Sequence, residues 1–559
     1  MLKTLADALY RSATEASSSF LEVVDGDPPR RLPDVFENAR RWAGRLRELG
    51  VRRGDRVAIL AESRLRAIEA LLGAWLLRAA VVPLAGPRGL VAGSRDVERI
   101  SKAVRASGAK VLLASAKGLA RMPADALASL GVTAVNLEEP GTTTVEPERG
   151  DPADLALIQY TSGSTGSPRG AALTHANLVA NLEASVTALE LTPDDRCVSW
   201  LPLYHDMGLI GGVLTAIFRG GSSILISPEA FVLRPTIWLE TFTSRAGTYA
   251  PAPNFGYQLC ATRVSEAVLA KLDLRTWRLA LTGAEPVRLE TIEAFTARFS
   301  RCGFRREAFL PVYGLAESTL AVAFPPLGRG AKAEYLDAEI LRSTGRAERE
   351  REGAGRAVVS VGHAFPGADL RVVDLEGRPV PERVEGEIVL RGPSVMSGYF
   401  GDPAATERTI RSGWLHTGDS GFIADGELFV TGRLKAVLIR AGEKYHAEDL
   451  ERVAERVSDV RHACSAAFSV EARGREDIVL VVERSARARG DPAHLARRIS
   501  EEILRAEGIT PSAVHVTAPG AVPKTSSGKV QRERCRTILL DGSLEVLGSH
   551  SSATAEARR

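Results

Sequence analysis

The sequence predicts an α/β fold with a large N-terminal domain of two parallel-type sheets, a small β-rich subdomain and an α+β C-terminal domain. Up to about residue 430, apolar runs of strand length alternate with helical patterns, as in βαβ units whose strands are buried on both faces. Near Gly386 the pattern changes to short strands separated by turns. Beyond Lys435 strands and helices alternate again over about 100 residues, a common domain size.

The individual elements follow this order along the chain. Strands of the N-terminal domain are predicted at 56–61, 81–84, 111–115, 132–136 and 155–160, with helices at 67–77 and from 173 onward. Strands of the β-rich part are predicted at 387–391 and 427–431. The C-terminal unit has predicted helices at 447–457 and 493–506 and strands at 466–470, 478–482 and 513–516.

These patterns predict where the domains begin and end. The bounds are 1–434 for the N-terminal domain, 385–434 for its β-rich subdomain, 435 for the boundary residue and 436–545 for the C-terminal domain. We expect residues 546–559 to form a disordered tail, because they are mostly small and polar.

Composition excludes several classes of protein. The chain has 559 residues, of which 45% are hydrophobic and 25% are charged, close to the globular average and unlike a disordered or disulfide-stapled chain. The 72 basic and 69 acidic residues leave a net charge of +3. That balance is too near neutral for a dedicated binder of nucleic acid or membrane surfaces.

Cysteine use and hydropathy indicate the compartment. The cysteines are few, widely spaced and odd in number, which favours a reducing cytosol; they are Cys197, Cys260, Cys302, Cys464 and Cys535. The N-terminus lacks the layout of a signal peptide. The most apolar stretch, 70–85, is interrupted by Arg78 and is too short to span a bilayer. We therefore expect a cytoplasmic protein without a membrane span.

A glycine-rich loop is the strongest local signal. Residues 161–170, Thr-Ser-Gly-Ser-Thr-Gly-Ser-Pro-Arg-Gly, follow a predicted strand and precede a predicted helix. Glycines let backbone N–H groups approach phosphate oxygens, and hydroxyl groups add further donors. No Gly-Lys-Ser/Thr closes the loop, so it is not a Walker A motif. The alternative is an ordinary Ser/Gly turn.

Five motifs in order make the chain resemble the adenylate-forming superfamily of acyl-CoA synthetases, peptide-synthetase adenylation domains and luciferases. Besides the loop at 161–170, they are Tyr-Gly-Leu-Ala-Glu-Ser at 313–318, Thr-Gly-Asp at 417–419, Gly-Arg-Leu-Lys at 432–435 and Pro-Lys-Thr-Ser-Ser-Gly-Lys at 523–529. Together they span almost the whole chain. The resemblance implies ATP as a substrate and a mobile C-terminal domain.

The resemblance also implies the residues that bind the nucleotide. Asp419 would accept hydrogen bonds from the ribose hydroxyls, Arg433 would reach the same sugar, and Tyr313 would stack on adenine. The remaining positions implied are Thr161, Ser162, Gly163, Ser164, Thr165 and Gly166 at the phosphates, with Gly283, Ala284, Glu285 and Gly314 at the base. A generic turn is the alternative for Asp419.

Glu317 and Lys529 are the residues predicted to act on the triphosphate. A carboxylate beside the Tyr-Gly turn can hold Mg²⁺, which neutralises charge on the phosphates. Only ten lysines occur in the chain, and two fall at 524 and 529. When a carboxylate attacks the α-phosphorus, an ammonium group stabilises the developing negative charge. Taken alone, Glu317 would be a surface acid and Lys529 an exposed lysine without a role.

Two further residues take roles from the resemblance. Lys435 would be the hinge about which the C-terminal domain rotates between adenylation and thiol transfer, because a few backbone torsions can absorb such a motion. His205 would line the acyl pocket or gate the thiol tunnel. The alternative for His205 is a core histidine bonded to a backbone carbonyl. Histidine spacing elsewhere does not suggest a zinc site.

Within the superfamily, the chain resembles the fatty acyl-AMP ligases. The matching segments are 200–212, 250–260, 283–288 and 425–433, and the charged segment 331–355 falls where that family has its distinguishing insertion. Such enzymes make acyl-adenylates from fatty acids and pass the acyl group to the phosphopantetheine of an acyl carrier protein, here acting in trans. The segment could otherwise be a solvated surface insertion.

Two other functions stay open. The first is an acyl-CoA synthetase that uses free coenzyme A, because Ala436 and residues 445–447 depart from the ligase pattern on the rotating domain. The second is a catalytically inactive nucleotide-binding protein, although Lys529, Glu317 and Asp419 are all present. Amino-acid activation is disfavoured, because 248–259 contains no carboxylate to bind an α-ammonium group.

Overall fold

The structure is a computed structural model of the chain. It describes residues 4–16, 18–24, 26–62, 64–87, 93–161, 169–440, 443–472, 475–525 and 528–552. In these ranges no helix is both long and apolar enough to cross a bilayer.

Helices before residue 300 are α1 (Leu5–Glu15), α2 (Leu32–Glu48), α3 (Leu65–Leu76), α4 (Ser94–Ser107), α5 (Ala116–Arg121), α6 (Ala124–Ser129), α7 (His175–Ala188), α8 (Thr215–Arg219), α9 (Pro228–Leu233), α10 (Thr236–Arg245), α11 (Asn254–Arg263), α12 (Glu266–Leu269) and α13 (Leu289–Phe299). The later helices are α14 (Ala338–Thr344), α15 (Pro403–Thr409), α16 (Ala447–Arg456), α17 (Pro492–Glu507) and α18 (Arg532–Leu540).

Strands before residue 312 are β1 (Phe20–Val23), β2 (Arg30–Arg31), β3 (Arg56–Leu60), β4 (Ala80–Leu84), β5 (Val111–Ala114), β6 (Thr133–Asn136), β7 (Leu155–Thr161), β8 (Arg169–Thr174), β9 (Arg196–Ser199), β10 (Ser222–Leu225), β11 (Tyr249–Ala252), β12 (Leu279–Thr282) and β13 (Phe309–Pro311). The later strands are β14 (Tyr313–Gly314), β15 (Ala321–Phe324), β16 (Ala333–Leu336), β17 (Arg356–Ala364), β18 (Asp369–Val373), β19 (Gly386–Arg391), β20 (Gly398–Tyr399), β21 (Ile410–Arg411), β22 (Trp414–Ala424), β23 (Glu427–Arg433), β24 (Val437–Arg440), β25 (Glu443–His446), β26 (Val460–Ala472), β27 (Arg475–Arg484), β28 (Ala513–Thr517) and β29 (Val546–Ser551).

Two mostly parallel sheets form the N-terminal domain, as predicted. One has the strand order β13-β12-β11-β9-β10-β1-β2, and the other has β20-β8-β7-β4-β3-β5-β6. The central strands are buried throughout, since helices cover both faces. The predicted helix after the glycine-rich loop is confirmed as α7, but strand β8 lies between them. It pairs antiparallel with β7 and so brings the chain back along the same sheet.

The β-rich sheet is wider than predicted. It has the order β14-β15-β17-β23-β22-β19-β18 and therefore takes in strands from Tyr313 onward, not only those of 385–434. β15 pairs with β17, and β17 pairs with β23, so neighbouring strands of this sheet lie far apart along the chain. Sequence patterns show a strand but not its partner, which explains the narrower prediction.

The C-terminal domain is built on the sheet β26-β27-β28-β29, with α16 and α17 packed against it. The expectation of a disordered tail from residue 546 is wrong for 546–551. These residues form β29, which pairs antiparallel with β28 and covers its edge. Backbone hydrogen bonds to a neighbouring strand do not require large side chains, so small and polar composition did not reveal this strand. Residues 553–559 lie outside the described part of the chain.

One buried histidine makes the N-terminal domain sensitive to acid. His175 opens α7, is fully buried, and has both ring nitrogens without a hydrogen-bond partner among the described residues. Burial and the nearby Arg78 lower its pKa to about 4, against the weaker pull of Asp154 and Asp7. The ring is therefore neutral in the folded protein and takes up a proton on unfolding below pH 6.5.

We expect this proton uptake to cost stability as the pH falls from 6.5 to 4, because the unfolded state then binds more protons. The shift corresponds to about 3 kcal/mol at pH 4 and about 2 kcal/mol at pH 5. His175→Leu should remove that loss, so the difference in urea midpoint between variant and wild type should change between pH 7 and pH 5. A difference independent of pH would contradict the assignment.

Candidate functional site

The described part of the site is drawn from the carboxyl end of β7, the β22–β23 hairpin and a loop of the C-terminal domain. Thr161 is the last residue of β7 and Arg169 is the first of β8. Ser162, Gly163, Ser164, Thr165 and Gly166 lie outside the described residues, so their predicted contacts with phosphate stay predictions. Gln159, two residues before Thr161 in the same strand, donates from Nε2 to the Tyr204 carbonyl at 2.9 Å.

Tyr313, Asp419 and Arg433 form one hydrogen-bonded group. The Tyr313 hydroxyl donates to Asp419 Oδ2 at 2.7 Å, and Arg433 Nε lies 2.8 Å from Asp419 Oδ1. Asp419 and Arg433 are paired across β22 and β23. Burial and the charge of Asp419 raise the pKa of Tyr313 well above its usual range, so the hydroxyl keeps its proton.

Asp419 lies inside β22 and not in a generic turn, which was the alternative for this residue. The register between β22 and β23 is irregular just after it, between Ser420 and Gly421. Such a bulge turns a side chain toward a site without ending the strand. Asp419 is buried, whereas more than half of the Arg433 side chain is exposed to solvent.

Glu317 follows this group on a short 3-10 turn, Ala316–Ser318. Its Oε1 accepts a hydrogen bond from the Tyr399 hydroxyl at 2.8 Å, and the Arg169 guanidinium lies 5.5 Å from the centre of the Tyr399 ring. Thr319 has φ +70°, a strained value for a β-branched residue, and donates from Oγ1 to the Ser394 carbonyl at 2.7 Å. The turn is thus held in one conformation.

The predicted adenine segment follows strand β12. A Cβ on Gly283 would lie 2.6 Å from the Val312 carbonyl oxygen, so only glycine fits there. Ala284 has φ +65°, in the left-handed region. Glu285 Oε1 accepts from the Phe255 N–H at 2.6 Å. Burial raises the pKa of Glu285, and the Phe255 N–H and nearby cations oppose that rise only in part.

Among the described residues, no backbone carbonyl forms a hydrogen bond with the His205 ring. Its Nδ1 lies 2.6 Å from Asp206 Oδ1, and Asp206 also accepts from the Met207 N–H at 2.7 Å at the start of the π-helix Met207–Leu214. Burial alone would raise the pKa of Asp206, but His205 and the Met207 N–H outweigh it and lower the pKa. Asp206 thereby holds His205 in place.

Lys529 faces this site from the C-terminal domain. Its backbone N–H donates to Thr525 Oγ1 at 3.0 Å, and the residue is exposed to solvent. Desolvation by the surrounding protein and repulsion by Arg433 lower the pKa of Lys529, against the attraction of Asp206, Glu285 and Asp419. The acidic groups that favour its charged form come from three separate segments of the N-terminal domain.

Lys435 lies between the two domains. It is the exposed middle residue of the 3-10 turn Leu434–Ala436, which joins β23 to β24. Its role as a hinge stays a prediction.

Comparisons with known proteins agree with this geometry. A family model described as AMP-binding enzyme matches residues 33–400. A protein of Caulobacter vibrioides named as an acyl-CoA synthetase is 37% identical and covers 96% of this chain and 96% of its own length. JamA of Moorena producens, a medium-chain-fatty-acid–[acyl-carrier-protein] ligase, is 37% identical over 72% of this chain and 71% of its own.

One solved structure shows which family of adenylate-forming enzymes the chain belongs to. It comes from a study of fatty acyl-adenylate ligases from E. coli and L. pneumophila and matches with a TM-score of 0.89 at 33% identity, covering 97% of this chain and 98% of that chain. The chain is a fatty acyl-AMP ligase of the AMP-binding family. The ligase is therefore an adenylate-forming enzyme that uses ATP.

Sequence motifs missed two residues of the ligase site. Asp206 follows His205 inside the matching segment 200–212, and a carboxylate directly after a histidine could have indicated that the two side chains interact. Tyr399 lies 82 positions from Glu317 and outside the quoted motifs, so no local pattern pointed to it.

Proposed function

We propose that this ligase activates a fatty or related carboxylic acid as its acyl-adenylate, with release of pyrophosphate. It then transfers the acyl group to the phosphopantetheine thiol of an acyl carrier protein acting in trans. The observation that carries the proposal is the hydrogen-bonded group that Tyr313 forms with Asp419 and Arg433 of the β22–β23 hairpin, which directly precedes the C-terminal domain that bears Lys529. A cation brought to a nucleotide site from a second domain suits a reaction in which negative charge develops at phosphorus.

Asp419 and Tyr313 are proposed to hold the ribose and the base. A buried carboxylate that already orients a tyrosine hydroxyl and an arginine is rigid enough to accept two further hydrogen bonds from a sugar. Arg433 keeps more than half of its side chain exposed and would complete that contact. Such positioning lowers the entropy that adenylation must lose.

Glu317 is proposed to hold Mg²⁺ together with the phosphates. Among the described residues no cluster of three or more His, Cys, Asp and Glu side chains could hold an ion alone. A single carboxylate fits Mg²⁺, which is usually held by one or two carboxylates plus substrate phosphates. The Tyr399 hydroxyl engages Oε1 of Glu317 and so orients the carboxylate. The ion would neutralise charge on the triphosphate.

The acyl acceptor is proposed from the segment 331–355. Here the chain forms β16, which pairs with β17, and α14, which contacts β25 of the C-terminal domain. Arg342 of α14 lies 3.3 Å from Glu507 and 5.3 Å from the centre of the Tyr445 ring. A segment anchored to both domains would resist the large rearrangement that free coenzyme A requires, which favours a carrier protein.

The experiment for adenylation is acid-dependent exchange between ATP and labelled pyrophosphate across a series of carboxylic acids, with acyl-AMP identified by mass spectrometry. We expect exchange only when an acid is present. Exchange with no acid, or none with any acid, would refute the proposed reaction.

For the acceptor, we expect the wild type to acylate a phosphopantetheinylated carrier protein much faster than free coenzyme A. Arg342→Ala removes contacts with both Glu507 and Tyr445, so it should raise acyl-CoA formation several-fold, on the scale of about 1 kcal/mol for one partly buried pair. Arg346→Ala, in the same segment but with an exposed side chain, is the matched control. Rapid acyl-CoA formation by the wild type would support the second candidate, an acyl-CoA synthetase such as the Caulobacter relative is named to be.

A further inference from the structure

Helix α16 lies between the N-terminal domain and the loop that carries Lys529. Its apolar residues Ala447, Leu450, Val453 and Ala454 are buried in the core of the C-terminal domain. Its charged residues point to two different neighbours. One set contacts the N-terminal domain and the other contacts the segment after Lys529.

Two carboxylates of α16, Asp449 and Glu455, contact arginines of the N-terminal domain. Asp449 Oδ2 lies 3.0 Å from Arg356 Nε, and Glu455 Oε2 lies 3.3 Å from Arg288 Nη1. Only 3% of the Glu455 side chain is exposed. Burial alone would raise the pKa of Glu455, but a hydrogen bond from His462 and the charge of Arg288 outweigh it and lower the pKa.

Arg288 belongs to the segment that forms the proposed adenine site. Its backbone N–H donates to Asn254 Oδ1 at 3.1 Å, and Asn254 immediately precedes Phe255, whose N–H holds Glu285. Arg288 is therefore fixed relative to the site through a short run of hydrogen bonds. A side chain that binds the Arg288 guanidinium, as Glu455 does, is thereby positioned relative to the same site.

Contacts with the lysine loop come from Glu448 and Glu451. Arg532 donates to both oxygens of Glu451, from Nε at 2.6 Å and from Nη2 at 2.7 Å, and also lies 3.0 Å from Glu448. Glu451 Oε1 further accepts from the Ala467 N–H at 2.9 Å. Arg532 follows Lys529 by three residues at the start of α18, so this bidentate pair fixes the position of the lysine loop against α16.

We propose that α16 couples the two sides of the site, with Arg288–Glu455 and Arg532–Glu451 as positioning pairs that hold the Lys529 ammonium group over the nucleotide during adenylation. The inference rests on the proposed function of Lys529 and deepens it. Neither pair belongs to the residues proposed to contact the nucleotide. Loss of one charge of a buried pair leaves the other uncompensated, so the helix would no longer sit in one place on the N-terminal domain.

Glu455→Gln is the test, because it keeps the shape of the side chain and removes its charge. We expect kcat for acid-dependent ATP–pyrophosphate exchange to fall on the order of 10- to 100-fold, the scale of a misplacement of about 1 Å. Transfer from added acyl-AMP to a phosphopantetheinylated carrier protein should stay within about twofold of wild type, since that step does not need the lysine.

The matched control is Arg456→Gln. Arg456, the residue of α16 after Glu455, pairs with Glu290 of the N-terminal domain at 3.3 Å across the same interface, but both side chains are more than half exposed. Exposed pairs contribute little, so exchange should stay within about twofold. Glu455→Gln could also lower the melting temperature, and a charge-swapped double variant then tests the coupling. If Arg288→Glu combined with Glu455→Arg has a faster ATP–pyrophosphate exchange than either single substitution, the coupling is supported.

Two results would overturn the proposal: unchanged exchange in Glu455→Gln, or equal loss of exchange and of transfer, which indicates a general structural role. Neither result would count against the proposed function, because the wild type is measured alongside. Absence of acid-dependent exchange in the wild type would count against the proposed function instead.

Discussion

Lys529→Ala is expected to lower acyl-adenylate formation by about 10²-fold or more, with little change in the apparent affinity for ATP. A point cation 4 Å from the developing charge contributes roughly 4 kcal/mol at an effective dielectric near 20. Lys529 stays partly exposed, so water recovers some of that energy in the variant. What remains still corresponds to about 10²-fold in rate.

Two rates are measured for Lys529→Ala: kcat for ATP–pyrophosphate exchange at saturating ATP, and the rate of acyl transfer from added acyl-AMP to a carrier protein. A role in adenylation predicts that only the exchange rate is lost. The matched control is Lys524→Ala: Lys524 lies in the same loop, but its Nζ approaches Cys464 Sγ at 3.1 Å, inside the C-terminal domain. Undiminished exchange in Lys529→Ala would remove the basis of the proposed mechanism.

The pH profile is a second readout for Lys529. Because its pKa is lowered, the ammonium group loses its proton at a lower pH than a free lysine does. The exchange rate should therefore fall on the alkaline side earlier than the pKa of an ordinary lysine predicts. Arg433 contributes to this shift, so Arg433→Gln should move the alkaline limb to higher pH.

Sequence patterns predicted the N-terminal sheets well because parallel strands buried on both faces are continuous apolar runs. β3 and β4, for example, lie where the runs at 56–61 and 81–84 predict them. Pairing was harder, since a strand's partner is set by the whole fold. The wider β-rich sheet and strand β29 both depend on neighbours that no local pattern specifies.

Motifs located the candidate site residues along the chain, but not the contacts that orient them. Tyr313 and Asp419 are 106 positions apart, and Arg288 and Glu455 are 167 apart. Each motif indicates one chemical group in isolation. The Arg288–Glu455 pair arises only where the two domains meet, so no single motif could show it.

Asp419→Ala is expected to reduce kcat/KM for ATP on the order of 10²-fold. The variant loses a buried acceptor that holds Tyr313 and Arg433 and, by the proposal, the ribose. Hydrogen bonds to a charged group are worth about 1.5–3 kcal/mol each, so loss of even one or two supports that size of effect.

Deoxy analogues of ATP separate sugar binding from a general loss of structure at Asp419. Wild type should lose activity with 2′-deoxy- or 3′-deoxy-ATP, whereas Asp419→Ala should lose little more, because the partner of the missing hydroxyl is already gone. Asp425→Asn is the matched control, since Asp425 lies at the exposed turn of the same β22–β23 hairpin and asparagine tolerates its φ of +53°. Equal sensitivity of wild type and Asp419→Ala to the deoxy analogues would place the ribose elsewhere and leave Asp419 as a support for Tyr313 alone.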